Sequence, residues 1–432
     1  MRRYLLLHPG CAWTDIPELP RAAAAVLAAG FAAHTIRVTE TLVSGDGETT
    51  KLLVQLQDGL RVESVVMSYD TTEAASSVRS LAKGRGASEE DGDASKEGSG
   101  ASEATSCASD EDETYWDASE AQGRAATTHA RPPAHSSPPP KAGGHRRLTL
   151  CVSSQAGCSM KCTFCATGTL GLLGHLTAGE IVEQAVLARR LAPAGAAGPE
   201  PRAPAVRNAS PLERPVSIRN VVFMGMGEPL DNYEAVRGAI RTLTSSETFA
   251  LRRRAVTLST VGVVPRLRQL AQDLPGVSLA LSLHAPEQAL RARLVPSARA
   301  FPLPRILEAV DAYAAASRQR VFVEYVLLGG VNDGEEQARQ LGELLRGRDV
   351  VVNLIPWNPV LGKGMEWEAP REGAARSFQR TLREAYGLRA TVRQEKGQDV
   401  AAACGQLSLE SRRGFDGAPG VVLGRDVEDL AL

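Results

Sequence analysis

From Leu148 to Arg393 the chain repeats one pattern: a short continuous apolar run, then a stretch whose apolar residues recur at helical spacing. The expected strands are Leu148–Val152, Asn220–Met224, Ala255–Ser259, Val277–Leu283, Val321–Leu328, Val351–Ile355 and Ala390–Arg393. The expected helices between most of them are Ala178–Arg190, Tyr233–Thr244, Pro265–Asp273, Leu303–Ala316, Glu335–Leu345 and Arg371–Tyr386. Thr177 and Glu180 form a capping box at the start of the first helix. Strands that are apolar throughout need cover on both faces, and intervening helices supply it, so the pattern predicts a parallel sheet. About six right-handed strand–helix units suggest an open or closed β/α barrel, in which chemistry sits at the C-terminal strand ends.

The remaining sequence divides around this unit. Residues 1–70 hold a helix, roughly Leu19–Leu27, and a hairpin, Lys51–Leu56 and Leu60–Met67, joined through Gln57-Asp58-Gly59. Asp-Gly between alternating apolar runs is a strong hairpin signal. Residues 71–146 are rich in Ser, Ala, Gly and Glu and then in Pro, and are expected to be disordered because they offer little apolar surface to offset ordering entropy. The β/α unit spans 147–410, with a Pro/Ala/Gly loop insert at 192–215, and a tail occupies 411–432.

Composition narrows the setting. Hydrophobic residues make up 43% of the 432 residues but aromatics only 4%, so the core must be mostly Ala, Val and Leu. No apolar run is long enough to span a membrane. Near the start, Arg2 and Arg3 precede only a short apolar stretch, Tyr4–Leu7, too short for a secretory signal, and Asp15 and Glu18 argue against a transit peptide. The expected compartment is reducing and cytoplasmic, with a plastid or mitochondrial location left open by inserts that suggest a eukaryotic, GC-rich coding sequence. Seven cysteines in a chain this long do not make a disulfide framework. Net charge is −1, but residues 71–120 carry thirteen acidic against four basic residues, and the rest carries 45 basic against 37 acidic. That basic remainder suits a polyanionic partner or an ordinary solvated surface. Arg146-Arg147 and Arg252-Arg253-Arg254 are candidate phosphate contacts on the same two readings.

Cys158-Ser-Met-Lys-Cys162-Thr-Phe-Cys165 has the spacing C-x3-C-x2-C directly after an expected strand. A structural zinc site would need a fourth ligand, for which His175 is the nearest candidate, and a closed iron–sulfur site would need a fourth cysteine. Three thiolates therefore point to a 4Fe–4S cluster with one iron left open, able to chelate S-adenosylmethionine and reduce its sulfonium to a 5′-deoxyadenosyl radical. Zinc and unligated core cysteines are the alternatives. Cys151 and Cys404, taken alone, read as small buried hydrophobes. Polar groups stand where other apolar strands stop: Gly227 and Glu228 in Gly225-Met226-Gly227-Glu228-Pro229, then Ser259, then Ser282-Leu283-His284, then Asn358. They suit the edges of a bound nucleoside cofactor, although His284 by itself reads as a core histidine. Glu63, on the second hairpin strand, reads as an ordinary strand glutamate.

These motifs together resemble the radical-SAM adenine methyltransferases that modify carbon-2 of adenosine in large-subunit ribosomal RNA and in tRNA. The likeness runs from about Asp15 to Leu407, broken by the two inserts, and includes Phe164 beside the cysteines. It implies a radical-SAM partial barrel, a 4Fe–4S cluster on Cys158, Cys162 and Cys165, and two S-adenosylmethionine molecules per turnover. It implies that Gly227, Glu228, Ser259, Ser282, Leu283, His284 and Asn358 hold the cofactor. Cys404 is implied as the residue that is methylated and then forms an adduct with the base. Cys151 is implied as the residue that resolves that adduct through a transient disulfide, and Glu63 as the acceptor of the carbon-2 proton. The base must be splayed out of its helix to reach such a site. Further implied are a low-potential electron donor such as flavodoxin or ferredoxin, a monomeric state, and a truncated form of a fuller N-terminal helical domain. Val261, Lys396 and Ala401 depart from the residues usual at their positions. The rival readings are methylation at carbon-8, which shares all five cysteines, and a catalytically inactive RNA-binding relative.

Overall fold

The computed structural model describes residues 12–70, 146–190, 218–360, 365–393 and 396–407. The inserts expected at 71–146 and 192–215 and the tail at 411–432 lie outside the described residues, except Arg146, which opens a strand.

The twelve described strands are β1 (Arg37–Val43), β2 (Thr49–Gln55), β3 (Arg61–Asp70), β4 (Arg146–Cys151), β5 (Gln155–Gly157), β6 (Leu172–His175), β7 (Ile218–Phe223), β8 (Val256–Thr260), β9 (Ser278–Ser282), β10 (Val321–Leu327), β11 (Val350–Pro356) and β12 (Arg389–Val392). Ten of them form one sheet in the order β1-β2-β3-β4-β7-β8-β9-β10-β11-β12. Within this sheet the pairings from β4 to β12 are parallel, and each crossover advances one strand in the sheet's sequence order. That steady advance is the progression of a β/α barrel. β1 and β12 end the hydrogen-bonded order, so the series is open. β5 and β6 make a separate antiparallel pair.

The helices are α1 (Arg21–Gly30), α2 (Ala166–Thr169), α3 (Ala178–Arg190), α4 (Tyr233–Thr244), α5 (Val264–Asp273), α6 (Gln288–Leu294), α7 (Leu303–Ser317), α8 (Glu335–Leu345) and α9 (Ala374–Tyr386). Periodicity located α3, α4 and α8 to the residue. The capping box at α3 is closed in both directions: Thr177 N–H donates to Glu180 Oε2 at 2.8 Å, and Glu180 N–H donates to Thr177 Oγ1 at 3.2 Å. α3 buries Ile181, Val182, Ala185 and Val186 against the sheet. The helix expected at Leu19–Leu27 starts later, because Pro20 takes the N-cap position and cannot supply an interior N–H. β1 escapes the pattern search because none of its residues is fully buried, so an edge strand has no apolar run to show.

The hairpin forms as its turn dictates, with Leu53 opposite Glu63 and Gln55 opposite Arg61. A catalytic role for Glu63 would require the hairpin to fold over the barrel mouth. Instead β3 lies beside β4 and extends the sheet. A buried amide holds this junction. Gln184 of α3 accepts from Ser64 Oγ at 2.6 Å and from Ser153 N–H at 2.9 Å, and its own N–H donates to Ser153 C=O at 2.9 Å.

After β12 the chain crosses the N-terminal strands before reaching Cys404. Asp399 accepts from Gly45 N–H at 2.7 Å, and Lys396 pairs with Glu48 at 2.5 Å. Lys51 is the buried member of this set: its ammonium lies 3.1 Å from Glu63 Oε1 and donates to Ala401 C=O at 3.3 Å. Breaking a buried ion pair from one side leaves a charge without its counter-ion. Lys51→Met should therefore cost about 3 kcal/mol or more in denaturant titration. Lys51→Met with Glu63→Leu should recover most of that loss, and a cost under about 1 kcal/mol for the single variant would deny the pair its structural role.

Candidate active site

The cysteine loop leaves β5 and ends at α2. Gly157 permits its first turn: φ is +74°, and a Cβ there would lie 1.8 Å from Gly171 C=O. Cys158 N–H donates to that same carbonyl at 2.8 Å, and Cys165 N–H donates to Cys162 C=O at 3.2 Å. The loop is pinned from outside as well. Thr163 N–H donates to Leu294 C=O at 2.9 Å, Trp367 Nε1 to Thr163 C=O at 3.0 Å, and Trp357 Nε1 to Phe164 C=O at 2.9 Å.

Cys158, Cys162, Cys165 and Cys404 all line one cleft of about 960 Å³, counting its open mouth. Among the described residues no three His, Cys, Asp or Glu side chains converge closely enough for a single metal ion. His175 does not line the cleft; its Nδ1 lies 3.2 Å from Gln155 Nε2. Burial pushes the thiols of Cys158, Cys162 and Cys165 upward, and mutual repulsion adds to the effect at Cys158 and Cys162. A positive centre among them would reverse that balance.

The strand ends supply the opposite wall. Gly227, Glu228, Ser259, Ser282 and His284 line the cleft. Gly227 has φ +101°, and a Cβ there would meet Gln155 Cβ at 2.5 Å, so only glycine fits. Glu228 is buried, and burial raises its pKa to about 7. Its carboxylate accepts from Leu230 N–H and Val261 N–H, each at 3.0 Å. Ser259 Oγ and Ser282 Oγ are 3.1 Å apart across neighbouring strands. His284 Nδ1 accepts from Val326 N–H at 3.1 Å, which leaves the proton on Nε2, and Phe164 packs edge-on at 4.8 Å. Leu283 and Asn358 lie outside this lining. Leu283 is fully buried, and Asn358 Oδ1 accepts from Gln398 Nε2 at 2.6 Å.

The remaining cysteine among the described residues ends β4. Cys151 is buried with its pKa pushed up to about 12, first by burial and then by Cys404. The two lone sulfurs are therefore electrostatic neighbours, although far apart in sequence. Arg393, just past β12, feels Cys404 most strongly, and Glu324 and Cys151 also hold it charged. Glu63 does not line the cleft; it is 2% exposed and paired with Lys51.

Several residues that line or brace the cleft escaped the sequence reading. Gln155 is one: its Oε1 accepts from Glu228 N–H at 2.8 Å and its Nε2 donates to Asp231 at 2.8 Å. Asp231 also accepts from Ser159 at 2.9 Å, so it joins the cysteine loop to the Gly227 turn. Glu324 lies in a continuous apolar strand, and that lone buried charge was the available signal. The arginine runs behave differently. Arg146 opens β4, and the turn Arg253–Ala255 precedes β8, so both runs stand at N-terminal strand ends, away from the cleft. Arg253 donates to Pro275 C=O at 3.1 Å, and Arg147 lies over the Tyr69 ring at 5.5 Å.

Burial holds His284 neutral and pushes its pKa from 6.5 down to about 3, with Arg291 acting in the same direction. The unfolded chain takes up this proton near pH 6.5 and the folded chain only near pH 3. The stability contribution is thus fully present above pH 6.5 and is lost as pH falls toward 3. Urea titrations should show about 1.4 kcal/mol lost per pH unit from this group within that window. His284→Asn should flatten the dependence, and an unchanged slope would rule His284 out as its source.

No protein-family profile matches the chain. It is 45% identical over 269 residues to the probable dual-specificity RNA methyltransferase RlmN of Moorella thermoacetica, a match covering 62% of this chain and 70% of that protein. It is 33% identical over 397 residues to the ribosomal RNA large subunit methyltransferase N of Nitrosopumilus maritimus, covering 92% of this chain and 87% of that protein. Its fold superposes on the crystal structure of a radical SAM methyltransferase from Sphaerobacter thermophilus with a TM-score of 0.69 and 31% identity, covering 95% of this chain and 92% of the other. By sequence and by fold, the chain belongs to the RlmN family of dual-specificity radical-SAM RNA methyltransferases.

Proposed function

We propose that this chain is an S-adenosylmethionine-dependent radical methyltransferase acting on carbon-2 of adenosine in large-subunit ribosomal RNA and in tRNA. The observation that carries this reading is one cleft lined by the cysteine triplet and by Cys404, with Cys151 as the electrostatic neighbour of Cys404. The names of the relatives favour it over methylation at carbon-8.

Cys158, Cys162 and Cys165 would hold a 4Fe–4S cluster, for which three thiols facing one open cleft are a fitting donor set. Bound there, the cluster and S-adenosylmethionine would supply one-electron chemistry at the sulfonium, the source of a 5′-deoxyadenosyl radical. The chain's own groups do the rest. Gly227 lets backbone approach the cofactor, and Glu228, Ser259, Ser282 and His284 offer it acceptors and donors. Leu283 and Asn358, just outside this lining, are the remaining proposed cofactor residues. Cys404 carries the methyl group, and Cys151 attacks its sulfur to free the product. Glu63 remains the proposed acceptor of the carbon-2 proton, although it lies outside the cleft lining and is paired with Lys51, whose ammonium also donates to the Ala401 carbonyl. A flavodoxin or ferredoxin would provide the electron.

Anaerobic reconstitution with iron and sulfide should load four iron atoms per chain, about the content of one such cluster. Treated RNA should gain 2-methyladenosine by mass spectrometry; 8-methyladenosine or no new nucleoside would sink the assignment. Cys151→Ala should trap a covalent protein–RNA adduct visible on a denaturing gel. Multiple turnover by that variant would remove Cys151 from its resolving role.

A further inference from the structure

Arg291 stands in the short helix α6, in a sequence, Gln288-Ala-Leu-Arg-Ala-Arg-Leu294, that reads as an ordinary solvated surface. The fold buries it completely, at 0% exposure. Three of its bonds go to backbone carbonyls at the ends of β8 and β9: Nε to Leu283 at 3.1 Å, and Nη2 to Val261 at 2.7 Å and to Ser282 at 3.2 Å. Nη1 is buried with no hydrogen-bond partner among the described residues. The same helix ends at Leu294, whose carbonyl accepts from Thr163, the residue after Cys162. Arg291 and Cys162 feel each other's charge, and Arg291 also acts on His284.

A guanidinium is charged at all working pH values, and burying one without a carboxylate partner is costly. Tying strand ends together needs only neutral donors, so the charge and the orphaned Nη1 call for another reason. We propose that Arg291 is a positioning residue for the redox centre, a fixed buried cation in the helix that anchors the residue after Cys162, and that its charge favours the reduced state of that centre.

The inference rests on the reading of Cys158, Cys162 and Cys165 as cluster ligands. Reduction adds one electron and no atom, so negative charge rises at the thiolate-bound centre. A cation held in a low-dielectric wall stabilises that added charge more than it would in water. The direction follows: removing the charge moves the midpoint potential to more negative values, and a second cation at the same place preserves it.

The test is an EPR-monitored redox titration of anaerobically reconstituted full-length protein, comparing wild type with Arg291→Gln and Arg291→Lys. Gln keeps a donor for the strand-end carbonyls and loses the charge; Lys keeps the charge and loses the fork. Expected for Arg291→Gln is a reduced-to-oxidised ratio, at fixed ambient potential, lowered on the order of tenfold, about 59 mV for one electron. Arg291→Lys should stay within about threefold of wild type by the same relation. A fully iron-loaded Arg291→Gln protein with the wild-type potential overturns the proposal, as does an Arg291→Lys potential lowered as far as that of Gln. If Arg291→Gln does not load iron, Arg291→Lys decides: a potential within the threefold range supports the proposal and a tenfold fall overturns it. Wild-type protein that binds no cluster would fail the ligand reading itself, a result separate from any shift among loaded variants.

Discussion

The site depends on the return of the segment 396–407 to the cysteine loop. Ala166 N–H donates to Gly405 C=O at 2.8 Å, and Thr167 Oγ1 to Leu407 C=O at 2.7 Å across 240 positions of sequence. Closing so long a loop costs more entropy than a short one, but only logarithmically, so a handful of well-placed bonds can hold it. The parallel sheet has already paired β11 with β12, which brings Arg393 to the C-terminal strand ends. From there the chain runs over the N-terminal strands, held by Asp399, Lys396 and the carbonyl of Ala401. The hairpin therefore serves the active site as a support for the Cys404 loop, and it does so as an extension of the sheet.

Charge within the cleft is sparse and buried, which makes each charge matter. Burial raises the Glu228 carboxyl pKa to about 7, outweighing the backbone bonds to its carboxylate. His284 stays neutral and offers an Nε2 proton, fixed by the bond its other nitrogen accepts. Glu324 accepts from Asn353 Nδ2 at 2.9 Å and shares the cleft with Arg393. In a low-dielectric pocket such groups orient a polar cofactor more strongly than the same groups on a surface would.

The aromatic and amide ties around the cysteine loop explain how a loop holds its shape. Trp357 and Trp367 each anchor a carbonyl of Thr163-Phe164, while Gln155, Asp231 and Ser159 join the loop to the Gly227 turn. Loops gain precision only when side chains satisfy their backbone groups from outside. Here those side chains come from separate elements of the barrel, so the geometry of three thiols is a property of the whole domain.

Local periodicity was enough to locate most strands and helices, and the C-x3-C-x2-C spacing was enough to single out the triplet, because both signals are short-range. The strand-end positions of Gly227, Glu228, Ser259, Ser282 and His284 were legible for the same reason: apolar runs stop where polar side chains begin. The neighbourhood of Cys151 and Cys404 came only with the assembled sheet, since two lone cysteines have no pattern linking them, and family resemblance alone had joined them beforehand. The burial of Arg291, the Lys51–Glu63 pair and the placement of the hairpin beside β4 were decided by tertiary structure. A charged residue in a helix or strand looks solvated until packing encloses it, and no local rule says which ones packing will choose.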